Sequence, residues 1–423
     1  MSRAIRPAVL VLAAVLALLV SCNGSSDSDS EGGAGTIVIG FTASLTGKLN
    51  VESVRQKNGL ELWAKDVNDA GGLALADGRV LRFATKCYDD ESAQDRVQQL
   101  YTRLVTEDRA DFLVSPYSSG LTSAASVIAE QNGKVMISAG AASDSNYRQG
   151  FSLVYQVYTP ASHYLTGSID LIRAAAPDAK RIAIVHENDK FSTDVCSELR
   201  SYAESKGIEV ALFEGYDSGT TDFAPLINKV AQASPAGILG GGHFQDGSTL
   251  ARQLAEKGIP IQFLVLLVAP PEPSFGELGD AAAGVIGPSQ WEPRAAFAPG
   301  DATEGVRGCG PAAESFVAAY RAAHGEEPSY HAAGGYAAGL VLADAILRAG
   351  GVETEAVREA LDRTDILTFF GRMKFDASES AHGLQIGHEM VYIQWQKNRE
   401  GNLVKEVVWP REAKTAEVRH PVR

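Results

Sequence analysis

The chain has little cysteine and no block of basic residues, and both absences exclude classes of protein. Only four of its 423 residues are cysteine, and the formal net charge is −14. Nucleic-acid binding depends on clustered Lys and Arg that neutralise phosphates, so no nucleic-acid partner is expected. The sequence contains no CxxC spacing and no histidine cluster, so it predicts neither a metal site nor a cofactor.

The motifs of common enzyme families are also missing. The sequence has no GxSxG elbow, no HExxH, no P-loop and no GxGxxG after a strand. The run Gly240-Gly241-Gly242-His243 is superficially similar to an esterase oxyanion motif, but no matching nucleophile accompanies it. We therefore predict no catalytic residue and no enzymatic activity.

One long apolar run stands at the N-terminus, and no later run is predicted to span a membrane. Residues 8–20 are apolar and follow two arginines, which is typical of a signal peptide, here placed at 1–21. The run ends in Leu19-Val20-Ser21-Cys22, which resembles the lipobox of bacterial lipoproteins, where the cysteine is lipidated. The alternative is an ordinary secretory signal with an incidental Cys22. Lipidation would anchor the protein to the bacterial cell membrane on its extracytoplasmic side.

The two ends of the mature chain are polar. Residues 22–35 are almost entirely Gly, Ser, Asp and Glu after the cysteine, so we predict a flexible tether there. Residues 411–423 are charged and are predicted to be a disordered tail. Three cysteines remain after Cys22, an odd number that permits at most one disulfide in an oxidising compartment.

Between these ends, strands alternate with helices in two successive units. This pattern predicts an α/β protein with parallel sheets and right-handed crossovers. The predicted strands are 36–41, 80–88, 112–114 and 135–137 in the first unit, and 181–186, 209–213, 237–239 and 261–268 in the second. Predicted helices at 312–324, 331–349 and 353–362 then precede terminal strands at 371–375, 389–396 and 403–408.

Two small polar loops follow neighbouring strands of the first unit, at 115–120 and 138–144. Ligands of open α/β sheets bind in the crevice outside the carboxyl ends of the strands. A helix that opens after Ser119 directs free N–H groups at an anion. The loops therefore predict a site for a small carboxylated ligand, although serine, glycine and proline also simply mark turns.

Short motifs then carry a resemblance that extends from Thr36 to about Trp409. They are Ile39-Gly40-Phe41, Tyr88-Asp89-Asp90, Pro116-Tyr117-Ser118-Ser119, Ile137-Ser138-Ala139-Gly140-Ala141-Ala142, Arg181-Ile182-Ala183-Ile184-Val185-His186, Leu250-Ala251-Arg252-Gln253, Gly279-Asp280-Ala281-Ala282 and Tyr336-Ala337-Ala338. In this order they resemble the branched-chain amino-acid-binding proteins of ABC importers, which have the type I periplasmic-binding fold.

The resemblance implies two doubly wound parallel-sheet lobes that close over a ligand about three hinge crossings. Lobe one would comprise 36–158 and 290–369, and lobe two 159–289 and 370–410. The implied crossings lie near 157–160, 287–290 and 370–373. Cys87 and Cys309 would then share lobe one, and whether they form a disulfide stays open.

The resemblance also implies site residues in lobe one. Ser119 matches the serine that hydrogen-bonds the ligand carboxylate, and Tyr117 and Ser118 precede it in the same loop. Ala141 and Ala142 match the second-loop pair that supplies backbone contacts. The family has a threonine where Ala142 stands, so one polar contact is missing.

In lobe two, Phe191 occupies the place of a family tyrosine, and either His243 or Phe244 that of a second aromatic residue. Phe191 and Phe244 could instead be core residues, and His243 a surface or hinge histidine. The acid that pairs the ligand ammonium falls near Leu267 or Val268 and is absent. Either a substitute serves, or the ligand is not a simple α-amino acid. The candidate substitutes are Glu187, Asp246 and Glu272.

These inferences predict an extracytoplasmic, lipid-anchored and monomeric solute-binding protein. Its ligand would be a small amino-acid-like molecule, carboxylate or amide, delivered to an ABC permease. The alternative is a sensor of the same fold that reports ligand occupancy to a signalling partner.

Overall fold

The computed structural model describes residues 35–295 and 305–422. The predicted signal peptide 1–21, Cys22 and all of the predicted tether before residue 35 lie outside the described residues. The described chain forms two lobes, each built around a mainly parallel sheet with helices packed on it.

Lobe one begins with the first six strands. In space they lie in the order β2-β3-β1-β4-β5-β6, with only β2 antiparallel to its neighbour. The strands are β1 Gly35–Ala43, β2 Leu73–Ala74, β3 Val80–Asp89, β4 Phe112–Val114, β5 Met136–Ser138 and β6 Val154–Gln156. The helices are α1 Asn50–Asp69, α2 Gln94–Thr106 and α3 Ser119–Gln131.

Lobe two follows as a second alternating array. Its helices are α4 Ala161–Tyr164, α5 Thr166–Ala175, α6 Lys190–Ser205, α7 Ala224–Ala233 and α8 Phe244–Lys257. Its strands are β7 Arg181–Glu187, β8 Glu209–Tyr216, β9 Gly237–Gly241, β10 Phe263–Leu266 and β11 Ile286–Ser289. The sequence prediction of two parallel α/β units is confirmed.

The chain then returns to lobe one for longer than predicted. It adds β12 Arg307–Gly308, α9 Ala313–His324, α10 Tyr330–Ala349, α11 Thr354–Asp362, β13 Asp365–Thr368 and β14 Gly371–Lys374. Strand β14 pairs antiparallel with β13, and Phe370 and Met373 are buried in the lobe-one core. The prediction that 370–373 forms the third crossing is therefore wrong, because a short hairpin there holds the chain in lobe one.

Three crossing segments meet in hydrogen bonds between the lobes. Thr159 donates its backbone N–H to Gln290 Oε1 at 2.8 Å and its hydroxyl to the His388 carbonyl at 3.2 Å. His388 Nε2 donates to the Gln290 carbonyl at 2.6 Å. Burial lowers the pKa of His388 to about 4, so its ring is neutral at pH 7. The third crossing thus lies near His388.

Lobe two is completed by the antiparallel strands β15 Val391–Lys397 and β16 Leu403–Trp409. Residues after β16 pack on this lobe, so the predicted disorder of 411–423 is contradicted for 411–422. The Thr415 N–H donates to the Val407 carbonyl at 2.8 Å, and the Val422 N–H to the Gln262 carbonyl at 3.1 Å. Gln262 is distant from Val422 in sequence, so composition could not reveal that contact.

Cysteine pairing is resolved for the described chain. Cys87, Cys196 and Cys309 are free, so the disulfide left open for Cys87 and Cys309 is not formed here. Burial raises the pKa of the Cys87 thiol to about 12, which makes it a poor nucleophile at neutral pH.

Helices α1 and α10 approach each other through glycines. A β-carbon on Gly59 would lie 1.9 Å from the Ala332 carbonyl oxygen, and one on Gly335 would lie 2.0 Å from that of Gln56. Helix α10 is the one helix in the described part of the chain whose length and composition would suit a membrane span. It is instead mostly buried in lobe one, because its small residues allow close packing.

Gly335→Ala should therefore lower the free energy of unfolding by about 1–3 kcal/mol, since the helices must separate to admit a methyl group. Thermal unfolding would measure this change. Gly120→Ala in α3 is the matched control, because a β-carbon there meets nothing within 4 Å. The control should gain stability slightly, as alanine favours helix over glycine. A loss as large in the control would contradict the close-packing explanation.

Candidate functional site

The carboxyl ends of strands from both lobes face each other across one cleft. Strands β4 and β5 end in the polar loops of lobe one, and β7 and β9 end in loops that lead into α6 and α8. The two sides touch directly, because the Tyr117 hydroxyl and His243 Nδ1 lie 3.1 Å apart. The cleft is thus where an α/β fold places a ligand.

Ser119 organises the lobe-one side of the cleft. Its Oγ accepts hydrogen bonds from the backbone N–H groups of Ala142 at 3.2 Å and Ser143 at 3.1 Å. The hydroxyl hydrogen is left to donate to a ligand acceptor. Ala142 lines the cavity with Ser119, whereas Ala141 is buried beside it and its carbonyl accepts from Gln156.

Ser118 holds a strained backbone at the start of α3. Its φ is 84°, in a region that favours glycine, and its side chain accepts from the Leu121 N–H at 3.3 Å. Such strain costs on the order of 1–3 kcal/mol and gathers at functional sites. Ser118 and the first residue of α3, Ser119, both line the cavity.

Aromatic side chains form most of the remaining cavity wall. Phe191 and His243 line it, whereas the Phe244 side chain packs against the lobe-two core, so of these two candidates only His243 is at the cavity. The sequence reasoning missed Gly140, Tyr158, Tyr164 and Tyr330. The hydroxyls of Tyr164 and Tyr330, from opposite lobes, lie 2.9 Å apart. Only a three-dimensional contact brings these tyrosines together.

The lobes are closed over this site. The inner cavity has a volume of about 10 Å³, which is close to what one water needs. A second cavity of about 190 Å³ lies at the cleft mouth, and His243 and Ser118 line both. An amino-acid-sized ligand therefore requires the lobes to part before it enters.

Comparison with known proteins identifies the family. The sequence model of a family described as periplasmic binding protein matches residues 36–400. The chain belongs to the periplasmic binding protein family.

Relatives of this periplasmic binding protein cover almost its whole length. Leu/Ile/Val-binding protein homolog 1 of Brucella abortus is 26% identical over 387 residues, covering 91% of this chain and 95% of the relative. A leucine-, isoleucine-, valine-, threonine- and alanine-binding protein of Pseudomonas aeruginosa is 25% identical over 383 residues, covering 88% and 93%. The predicted kinship with branched-chain amino-acid-binding proteins is confirmed.

A solved structure confirms the fold. The branched-chain amino acid transporter substrate-binding protein LivJ of Streptococcus pneumoniae, in complex with isoleucine, has a TM-score of 0.71 and 24% identity. The match covers 89% of this chain and all of that one. This periplasmic binding protein therefore has the type I periplasmic-binding fold.

His243 is the electrostatic centre of the lobe-two wall. Its Nε2 lies 2.6 Å from Asp189 Oδ2, 4.0 Å from Glu187 and, through Nδ1, 3.9 Å from Glu52. Burial disfavours the charged ring, but Asp189 and the neighbouring carboxylates outweigh burial and raise the pKa of His243 to about 9. At pH 7 the cleft of this periplasmic binding protein thus contains a buried imidazolium.

The sequence predicts no metal site, but within the described residues one group of side chains could hold a cation. Glu187, Asp189 and His243 place ligand atoms within 4.8 Å of one another. A metal would have to displace the proton from a histidine whose pKa is raised to about 9. Lys48 Nζ already neutralises Glu187 at 2.5 Å from lobe one.

The three acids proposed as substitutes already have partners. Glu187 is bound by Lys48 and Ser218, and Asp246 by the Tyr216 hydroxyl. Burial and then Glu187 raise the pKa of Asp246 to about 6. Glu272 is bound by Arg55 and His331 of lobe one. Leu267 and Val268 are buried core residues, as their apolar character indicates.

Proposed function

We propose that this protein captures a small amino-acid-like molecule between its lobes and delivers it to an ABC permease. Ser119 would bind the ligand carboxylate together with the N–H groups at the start of α3, and Phe191 and His243 would close over it. The observation that carries the proposal is Ser119, fully buried at a helix N-terminus in the cleft between two lobes. The relatives named for leucine, isoleucine and valine support this ligand class.

The mechanism we propose is hinge closure about the three crossings. A ligand that contacts both lobes binds the closed form more tightly, so it shifts the open–closed equilibrium towards closure. We further propose that the protein is extracytoplasmic and monomeric and is held at the membrane by lipidated Cys22. The lipobox-like Leu19-Val20-Ser21-Cys22 supports the anchor.

A thermal-shift screen of the body, residues 36–423, against amino acids, amides and carboxylates tests the proposal. A ligand at about 100 times its dissociation constant adds about 2.7 kcal/mol of stability. Ser119→Ala should weaken that ligand by about tenfold or more in calorimetry, because a hydrogen bond to a charged group is lost. If no compound of the three classes raises the unfolding temperature, the result contradicts the proposed function.

Ser126→Ala is the matched control for Ser119→Ala. Ser126 lies on the same helix, is equally buried, and donates within α3 to the Thr122 carbonyl at 2.8 Å. It does not line the inner cavity, so its variant should keep the wild-type affinity. An equal loss of affinity in both variants would indicate damage to α3 and not loss of a ligand contact.

A further inference from the structure

Glu52 is a buried carboxylate that is only half satisfied. It lies in the first turn of α1, is fully buried, and its Oε1 accepts from the Phe244 N–H of lobe two at 2.8 Å. Its Oε2 has no hydrogen-bond partner within residues 35–295 and 305–422. A buried carboxylate oxygen without a donor is costly. The position therefore calls for a donor that a ligand can bring.

This carboxylate lies close to two residues that line the inner cavity. Glu52 Oε1 is 3.9 Å from His243 Nδ1, and His243 lines the cavity together with Tyr117. Burial and then the charge of Glu52 raise the pKa of Tyr117, which places the same carboxylate close to a second lining residue. Glu52 thus approaches the cavity from the lobe-one side, which also carries Ser119.

The charges around His243 do not balance. Carboxylates outnumber cations there, since four acids face three basic groups: Glu52, Glu187, Asp189 and Asp246 against His243, Lys48 and Lys190. His243 uses one N–H on Asp189 and lies within hydrogen-bonding distance of the Tyr117 hydroxyl on its other side. None of these three basic groups donates a hydrogen bond to Glu52 Oε2. The cleft accordingly favours a ligand that carries positive charge.

We infer that Glu52 accepts the ammonium group of the ligand and so makes molecules with an ammonium beside a carboxylate the ligand class. This inference rests on the proposed function, and it places the missing acidic partner in lobe one. Because Glu52 and the Phe244 N–H belong to opposite lobes, opening the cleft also frees Oε1 for the incoming ligand. On closure, Oε1 again accepts the hydrogen bond from the Phe244 N–H, while Oε2 stays bound to the ligand ammonium.

The test compares L-leucine with 4-methylpentanoate, which has the same carbon skeleton and carboxylate but no ammonium. Glu52→Gln keeps the shape and an acceptor for the Phe244 N–H but removes the charge. Calorimetry should show leucine affinity falling by about thirtyfold or more, because one partner of a buried charge pair is lost. The affinity for 4-methylpentanoate should stay within about threefold of wild type, as no ammonium is involved.

Two controls separate the inference from other effects. Glu61→Gln lies on the same helix but pairs with Lys57 at the surface, so it should change neither affinity. Ser119→Ala should weaken the binding of both compounds, because both carry the carboxylate.

Unchanged leucine affinity in Glu52→Gln, or equal losses of affinity for both compounds, overturns the role of Glu52 while the proposed function stands. If the wild type binds 4-methylpentanoate but not leucine, the inference alone fails. Binding of neither compound nor any amino acid overturns both.

Discussion

Replacing Glu272 with alanine should lower the free energy of unfolding by about 3–5 kcal/mol, because the change leaves a buried cation without its partner. Glu272 is fully buried in lobe two and accepts from Arg55 and, at 2.5 Å, from His331 Nδ1, both of lobe one. Burial disfavours its charge, but His331 and Arg55 outweigh burial and hold the pKa of Glu272 below its usual value. Chemical denaturation of both proteins would measure the difference.

Glu326→Ala is the matched control for this loss. Glu326 also pairs with Arg55, at 3.1 Å, but its side chain is 40% exposed, so its removal should cost under about 1 kcal/mol. Because the pKa of Glu272 is lowered on folding, its contribution is present at neutral pH and is lost as the pH falls through the lowered pKa. Wild type and Glu272→Ala should therefore converge in acid. Similar losses from both variants at neutral pH would contradict the buried-pair explanation.

Local pattern was sufficient to predict most of the fold. Helix α2 buries Val97, Tyr101 and Leu104, which are apolar residues at the spacing that is typical of one face of a helix. Each predicted strand of the two parallel units has a counterpart, because buried parallel strands are short apolar runs between turn residues. Patterns of period 2 and 3.6 are local properties, and the sequence displays them directly.

The third crossing could not be predicted in the same way. Residues 365–374 form a hairpin whose partner strand β12 and whose apolar contacts come from distant parts of lobe one. The local sequence does not show whether Phe370 is a lobe-one core residue or a hinge residue. The crossing instead depends on His388, whose hydrogen bonds reach Thr159 and Gln290.

The residues of the candidate site also divide into those that the sequence could predict and those that depend on contacts between distant parts of the chain. The strand ends predicted the two polar loops, and the family resemblance implied Ser119 and Ala142 within them, which both line the cavity. The choice between His243 and Phe244 depended on where α8 begins, since the helix cap points into the cleft and the next residue into the core. Glu52 was missed because α1 is far from the polar loops in sequence. Its unpaired oxygen is visible only once the lobes are assembled.

Raising the pH from 6.5 to 9 should remove about 3 kcal/mol of stability that depends on His243. The pKa of this buried ring is raised from an ordinary 6.5 to about 9 in the folded protein. A raised pKa stabilises the fold fully below the unfolded value, and the contribution is lost as the pH rises through the folded value. Each unit of difference corresponds to about 1.4 kcal/mol. Chemical denaturation at several pH values would measure the decline.

The other titratable groups close to His243 change their protonation outside the range from pH 6.5 to 9. Burial and Glu187 raise the pKa of Asp246 to about 6, so its change falls below pH 6.5. The pKa of Asp189 is lowered, because His243 outweighs burial, and it titrates in acid. Burial raises the pKa of Tyr117 well above 10, and it stays protonated. Buried thiols such as Cys87 reduce stability as the pH approaches 9, where thiols of the unfolded chain begin to ionise, and a His243 variant shares this loss with wild type.

His243→Gln is the matched variant for the pH experiment, because glutamine cannot become charged. It should be less stable than wild type at pH 6.5 and should lose much less stability than wild type up to pH 9, so that the two curves converge. Since the imidazolium also attracts the Glu52 carboxylate of lobe one, 3.9 Å from Nδ1, wild type should open as the charge is lost. Small-angle scattering should then show a larger radius of gyration at pH 9 than at pH 6.5 for wild type alone. A parallel decline of both proteins would assign the pH dependence to a group other than His243.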